Sequence, residues 1–422
     1  MHADLLVLGG GMAGLAAAAR AVEAGARVVV AEKRPQVGGS ASLSAGILWT
    51  APDVETVRRV CPGGDPELGR ALVEGFAPAV EWIRSTGVFV SERWEGQMGF
   101  GTAVRVDVGA LLDRWRRRVE RAGALLCRRA ARELLTDAGG RVRGAVLDGP
   151  LEVEAGAVLL ATGGFQGDPE LRAVHLGPAA RDVLVRSSAG SVGDGFRMGR
   201  AVGAAASACL DGFYGHLVPS PLRGWSEADF LPLTQYHSSR AVLVNRLGRR
   251  FTDESLGDEV SNQAVLRQPG VRAVLCFDHG VRTRWAAAAP YPHGQVVDRA
   301  AAAEASGGRF VRAGSPAELI DAVVSWGVAR GPLAGSLAPL GAPPLYAVEV
   351  QPTITFPFGG LAVDADGRVL GQGGVPVPGL FAAGADAGGL QDRRYVGGLA
   401  LGAVFGPRAA EAALQIGVGG TR

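Results

Sequence analysis

Three stretches of the chain share one pattern: a short apolar run that stops abruptly at glycine. The first is the clearest. "DLLVLG" (4–9) is an uninterrupted apolar run with strand character, followed by "GGGMAG" (9–14 including Gly9). "LAAAARAVEAG" (15–25) is a helix-forming stretch ending at Gly25 in a C-cap position, and "ARVVVAE" (26–32) is a second strand closing on Glu32. The order strand, glycine turn, helix, strand predicts a βαβ unit over residues 4–32. "VEAGAVLLATGGF" (153–165) and "VPGLFAAGADAGG" (377–389) repeat the apolar run into glycine, and "GRVRGAVLDGPLEVEAG" (140–156) reads as two short strands and a turn. The segment after Gly397 and Gly398 reads as a helix, and no internal repeat is present.

With 422 residues, the chain exceeds what one hydrophobic core accommodates, which predicts two domains or one large domain with an insertion. Hydrophobic residues make up 47% and charged residues 20%, so there is enough apolar material for a large core. A net charge of +2 gives no basic surface for nucleic acid or an anionic membrane. The four cysteines (Cys61, Cys127, Cys209, Cys276) include no close pair, which argues against a disulfide framework or zinc site and for free thiols in a reducing compartment. No apolar run reaches membrane-spanning length and no charged leader precedes the first strand, so a cytoplasmic location is expected.

Gly9, Gly11 and Gly14 have the G-x-G-x-x-G spacing of a dinucleotide site. Gly9 permits a tight turn, Gly11 lets a pyrophosphate approach the backbone, and Gly14 permits close helix–strand packing. Met12 and Ala13 open the helix, whose N-terminus favours phosphate charge. Glu32 stands where a ribose would donate to it, and its charge opposes the 2′-phosphate of NADP. Lys33 and the glycine- and hydroxyl-rich loop "VGGSASLSAG", with Gly39, Ser40, Ser42 and Ser44, suit a backbone wrapped around a cofactor.

These motifs, together with "LLATGGF", "GSVGDGFRMGRAVGA", "LVNRLGRRFTDES", "GGLAVDADGRVL" and "GLFAAGADAGG…GGLALGAVFGPRAAEAAL", span essentially the whole chain. In that order they resemble the flavoproteins of the fumarate reductase/succinate dehydrogenase and 3-ketosteroid dehydrogenase superfamily, with the C-terminal end closer to the ketosteroid branch. The resemblance implies an α/β fold, a Rossmann-like FAD-binding domain carrying an inserted, smaller α+β capping and substrate domain. It places the FAD domain at residues 1–205 and 335–422 and the cap at 206–334. It also implies FAD, held non-covalently because no histidine lies in the serine-rich loop. Thr162 and Gly163 are then expected near the adenosine, Gly384 and Asp386 near the ribityl chain, and Gly398, Ala400 and Leu401 at a helix N-terminus facing the flavin pyrimidine edge.

Three departures from the dicarboxylate enzymes define the chemistry the resemblance implies. Where those enzymes carry an arginine acid/base after "GRRFTDES" (248–255), this chain has Asp258, flanked by Glu259. Where they carry a histidine ahead of a double glycine, it has Phe356, and where they hold the substrate carboxylate with arginine, it has Tyr395. A dianion would meet a carboxylate and apolar walls, so fumarate and succinate are disfavoured. Asp258 is the expected base and Tyr395 the expected carbonyl donor, assisted by the amide of Gly397 or Gly398. Tyr214, His216, Tyr236 and His237 are further polar aromatics of the cap, with His216 and Tyr236 as reserve acid/base groups, while Arg393 and Arg394 are read as surface residues.

The expected reaction is oxidation or reduction of a carbon–carbon bond beside a carbonyl, with a neutral, cyclic ketone as the small-molecule substrate and an electron partner the sequence does not name. A tricarballylate-like or alcohol-oxidising dehydrogenase and a non-catalytic flavin-binding protein are the alternatives.

Overall fold

The computed structural model describes residues 1–292 and 294–419. The chain forms two compact units: one from Met1–Leu176, Ser187–Phe213 and the chain from Phe356 on, the other from Gly177–Arg186 and Tyr214–Thr355.

The first unit is built on a parallel sheet. His2–Leu8 pairs with Val28–Glu32 on one side and Leu151–Leu160 on the other, Val28–Glu32 continues to Ala124–Cys127, and Leu151–Leu160 continues to Pro376–Ala382. The helix Met12–Glu23 crosses from the first strand to the second, as the hydrophobic pattern predicts. The hairpin predicted at 140–156 is present, but its second strand does not end there. It runs on through Leu160 as the central strand of the sheet, so one strand serves both the hairpin and the parallel core.

Close helix packing depends on missing side chains. A Cβ at Gly14 would collide with the Gly9 carbonyl oxygen. On the C-terminal helix Gly398–Gly419, a Cβ at Gly402 would stand 2.8 Å from Met12 Cγ, and one at Gly406 would stand 2.5 Å from the Ala13 carbonyl oxygen. The two helices can therefore touch backbone to backbone along the buried alanines of the first.

The second unit centres on Leu345–Ile354, ten buried residues. It pairs antiparallel with Leu217–Pro219, Ala273–Asp278 and Phe310–Ala313, and parallel with Leu184–Val185. That strand is why residues 335–355 belong with this unit, where the sequence reading ends the insertion at 334, and why Gly177–Arg186 joins it as well. Residues 206–213 stay with the first unit: Ser207 donates its amide to the Gly360 carbonyl at 2.9 Å, and Phe358 donates to Gly212 at 2.9 Å.

Gly402→Val places a branched side chain against Met12 and Ala13. It is expected to lower stability by about 1–3 kcal/mol, read as a lower midpoint in urea unfolding.

Candidate active site

At the carboxyl end of the first strand the chain forms a cradle with no side chains in it. A Cβ placed on Gly11 would meet nothing within 4 Å, and one on Gly39 would come only within 3.6 Å of Gly11 Cα. The loop after the second strand is drawn in by a hydrogen bond from the Gly38 amide to the Gly10 carbonyl at 2.7 Å. Met12, Ala13 and Gly14 are the first turn of the helix, whose amides have no intrahelical acceptor. An open, glycine-lined space at a helix N-terminus fits a pyrophosphate.

Glu32 organises this cradle. One carboxylate oxygen accepts the Gly10 amide at 2.8 Å and the other accepts the Arg34 amide at 2.7 Å. Each oxygen has a second lone pair, so the carboxylate can also receive a ribose hydroxyl. Other residues in the expected cofactor set hold the protein together. Lys33 Nζ lies 2.5 Å from Asp194, and Met12 and Ala13 pack under Gly402 and Gly406. Ser42 donates to the Gly39 carbonyl at 2.8 Å and Ser44 to the Ala41 carbonyl at 2.7 Å, while the Ser40 hydroxyl accepts the Ser188 amide at 3.1 Å.

Asp386 turns inward. Its carboxylate accepts the Thr162 amide at 2.5 Å and the Thr162 hydroxyl at 2.9 Å, and the Thr162 oxygen in turn accepts the Gly195 amide at 2.9 Å. This ties the end of Leu151–Leu160 to the turn Gly384–Asp386 and to the start of the helix Asp194–Ala201. Beside Thr162, Gly163 has φ +91°, and a Cβ there would stand 2.8 Å from the Ser191 hydroxyl. Burial raises the Asp386 carboxyl to about 7, against the lowering effect of the Thr162 hydrogen bonds.

Tyr395 lies at the start of the C-terminal helix within an aromatic group. Trp49 meets its ring edge-on at 5.2 Å between centroids and Phe356 at 5.8 Å. The Tyr395 hydroxyl oxygen accepts the Gly398 amide at 2.7 Å. The Gly398 amide is thus engaged by the phenol, and the Leu401 amide by the Gly397 carbonyl at 3.1 Å. In the first turn, Leu399 and Ala400 are the amides with no intrahelical acceptor. Arg393 is exposed, and the Arg394 guanidinium lies 5.0 Å over the Phe100 ring.

The second unit holds a separate polar cluster. Asp258 begins the helix Asp258–Leu266, and its carboxylate is hydrogen-bonded to His216 Nδ1. The other ring nitrogen, Nε2, is 2.7 Å from the Tyr214 hydroxyl. Asp258 and His216 are 6% and 2% exposed, whereas Tyr214 is half-buried. Burial holds the His216 imidazole below the usual histidine range, opposed by the Asp258 charge. Tyr236 meets the His216 ring edge-on at 5.1 Å, lies under the Arg299 guanidinium at 5.0 Å, and has its phenol pushed up by burial. His237 packs on Phe277 at 4.7 Å, and burial lowers it to about 3, so it is a neutral core residue. Arg250 pairs with Glu254, so it does not occupy Asp258.

A family model described as an FAD binding domain matches residues 4–401. The chain belongs to that family. Among curated relatives, it is 28% identical to a fumarate reductase (cytochrome) of Shewanella frigidimarina over 98% of this chain and 77% of the relative. It is 27% identical to the 4-oxocyclohexanecarboxylate 2-dehydrogenase of Sinomonas cyclohexanicum over 96% and 90%. The structure of 3-ketosteroid delta1-dehydrogenase from Sterolibacterium denitrificans superposes with a TM-score of 0.80 at 19% identity, covering 98% of this chain and 99% of that one. The fold is therefore that of the FAD-dependent oxidoreductases anticipated from the motifs. No described helix is long and apolar enough to cross a membrane.

The sequence reading missed two pairings. Tyr214 and His216 are two residues apart around a short strand, so period-two alternation points them to one side. Thr162 and Asp386 follow Leu151–Leu160 and Pro376–Ala382, parallel neighbours whose carboxyl ends lie side by side.

Two outcomes are expected. Gly11→Val folds as stably as the parent but no longer retains the yellow cofactor on gel filtration, because its side chain enters the cradle without displacing protein. For Asp386, the folded pKa lies above the ordinary 3.8, so the folded state holds more protons and stability falls as pH rises from about 4 to about 7. Asp386→Asn removes that slope in thermal melts across the same range.

Proposed function

We propose that the protein is an FAD-dependent oxidoreductase acting on a carbon–carbon bond next to a carbonyl group, either desaturating a saturated ketone or reducing the conjugated bond. Bound FAD supplies the hydride acceptor or donor. The chain supplies a carbonyl donor and a proton carrier.

The observation that carries this reading is the Tyr395 phenol, whose oxygen accepts the Gly398 amide within a wall formed by Trp49 and Phe356. A phenol that accepts an amide donates its own proton more strongly, because the two hydrogen bonds polarise one another. In apolar surroundings such a donor stabilises negative charge developing on a carbonyl oxygen far more than it does in water. The same wall offers no cation at the positions of Phe356 and Tyr395 to hold a dicarboxylate.

A ketone that also bears a carboxylate is the second reading. The observation favouring it is Arg186, buried in the second unit with Nε donating to the Phe230 carbonyl at 3.1 Å and its terminal nitrogen 3.5 Å from the Tyr236 hydroxyl. The dehydrogenase from Sinomonas named above is a relative whose name describes such a compound.

The test is anaerobic bleaching of the bound flavin by cyclohexanone, 4-oxocyclohexanecarboxylate and a saturated 3-ketosteroid, with succinate as control. Bleaching by a ketone and not by succinate is expected, and Tyr395→Phe should slow it by about 10²-fold with flavin retained. Bleaching by succinate alone would overturn the reading, and bleaching by the keto acid alone would select the second.

A further inference from the structure

Resting on the proposed chemistry beside a carbonyl, we infer that the residue exchanging a proton with the substrate α-carbon is Tyr214, and that His216 and Asp258 form a relay positioning and draining it. This revises the role that the sequence assigns to Asp258.

The geometry orders the three groups. A carboxylate oxygen accepts, so in the bond between His216 Nδ1 and the Asp258 carboxylate the proton is assigned to Nδ1. A neutral imidazole protonated at Nδ1 presents a lone pair at Nε2, and the Tyr214 hydroxyl 2.7 Å away is then the donor. The chain Tyr214 O–H to His216 Nε2, and His216 Nδ1–H to Asp258, therefore runs in one direction. Exposure has the same order: the acid and the imidazole are buried and the phenol is half-buried, which makes Tyr214 the outermost member of the three.

The relay is held at its backbone. The His216 amide donates to Thr353 Oγ1 at 3.2 Å, Thr353 Oγ1 donates back to the His216 carbonyl at 2.8 Å, and Asn262 brackets Thr353 with bonds of 2.9 and 3.0 Å. Gly215 completes the clamp, since a Cβ there would stand 2.8 Å from Asn262 Nδ2. Asp258 sits in the first turn of its helix, where the amide dipoles favour a carboxylate.

The step balances without any oxidant. The substrate α-C–H bond breaks and a new O–H bond forms on Tyr214, while the proton Tyr214 carried moves to His216 Nε2. The electron pair of the broken bond remains on the substrate as an enolate, and the imidazolium stands against the Asp258 carboxylate. Protonation of the α-carbon in the reductive direction is the same sequence reversed.

Because this step is enolisation, it can be read without flavin reduction. The holoenzyme is incubated anaerobically with the ketones named above in D2O, and deuterium at the α-carbon is followed by mass spectrometry alongside flavin absorbance. Wild type is expected to exchange the α-hydrogens. Tyr214→Phe should lose exchange by about 10²- to 10⁴-fold with the flavin still bound. Asp258→Asn, whose amide can donate to Nδ1 and so reverse the imidazole, should lose a comparable factor at neutral pH.

The pH dependence separates a relay from a purely structural role. His216 is faced by Asp258, Tyr214, Tyr236 and Arg186. Its imidazole is held below the usual range, so wild-type exchange should stay flat from neutral into alkaline solution and fall only in acid, where His216 takes up its second proton. Asp258→Asn should instead rise with pH as hydroxide substitutes for the relay. Unchanged exchange in Tyr214→Phe, a flat profile in Asp258→Asn, or no wild-type exchange with any of the three ketones would overturn the relay. Exchange that depends on Tyr214 while the flavin never bleaches would support the relay and refute the dehydrogenation reading instead.

Discussion

The first unit depends on a close approach that only glycine allows. The helix Met12–Glu23 lies against the first strand because Gly14 has no side chain to meet the Gly9 carbonyl, and against the C-terminal helix because Gly402 and Gly406 have none to meet Met12 and Ala13. Those contacts fix the helix N-terminus above the carboxyl ends of the parallel strands, where Gly11 leaves an open space and Glu32 braces the surrounding loop. The apolar burial along this seam adds to the stability of the first unit's core. The cofactor cradle is a consequence of the packing, since phosphate-seeking amides collect wherever such a helix begins.

The second unit places buried charge where stability alone would not favour it. Taking a carboxylate out of water costs several kcal/mol unless it is well paired. Asp258 recovers part of that cost from His216 and from its place at a helix N-terminus, the latter contributing on the order of 1 kcal/mol. A well-packed apolar pair would serve the core better. The arrangement makes physical sense as a means of fixing the histidine tautomer, and Thr353, Asn262 and Gly215 add hydrogen bonds and close contacts that hold the histidine backbone in place.

Much of this could be read from residues alone, for reasons that differ between the units. The βαβ unit over residues 4–32 was legible because strand and helix are adjacent in sequence and the glycines have fixed geometric duties. The C-terminal helix was legible from the double glycine that precedes it. The strand Leu345–Ile354 was not, because Glu349, Gln351 and Thr353 break its apolar pattern although all are buried. Glu349 is matched by Arg309 at 3.0 Å and Thr353 by Asn262 and His216, partners distant in sequence. The same distance hid the Asp258–His216 bond, which joins residues 42 positions apart. Counting from a motif located Asp258 but said nothing of which way it points.

Desaturation beside a carbonyl removes two hydrogens from adjacent carbons of one substrate, and that pairing distinguishes it from alcohol oxidation. The most direct measurement is therefore the single-turnover rate of anaerobic flavin reduction by a ketone deuterated at the α-carbon or at the β-carbon. Slower reduction with the β-deuterated compound, together with a smaller or comparable slowing with the α-deuterated one, is the predicted result. Flavin reduction insensitive to both labels, with an isotope effect only from deuterium on a carbinol carbon, would contradict the account and identify an alcohol dehydrogenase on the same fold.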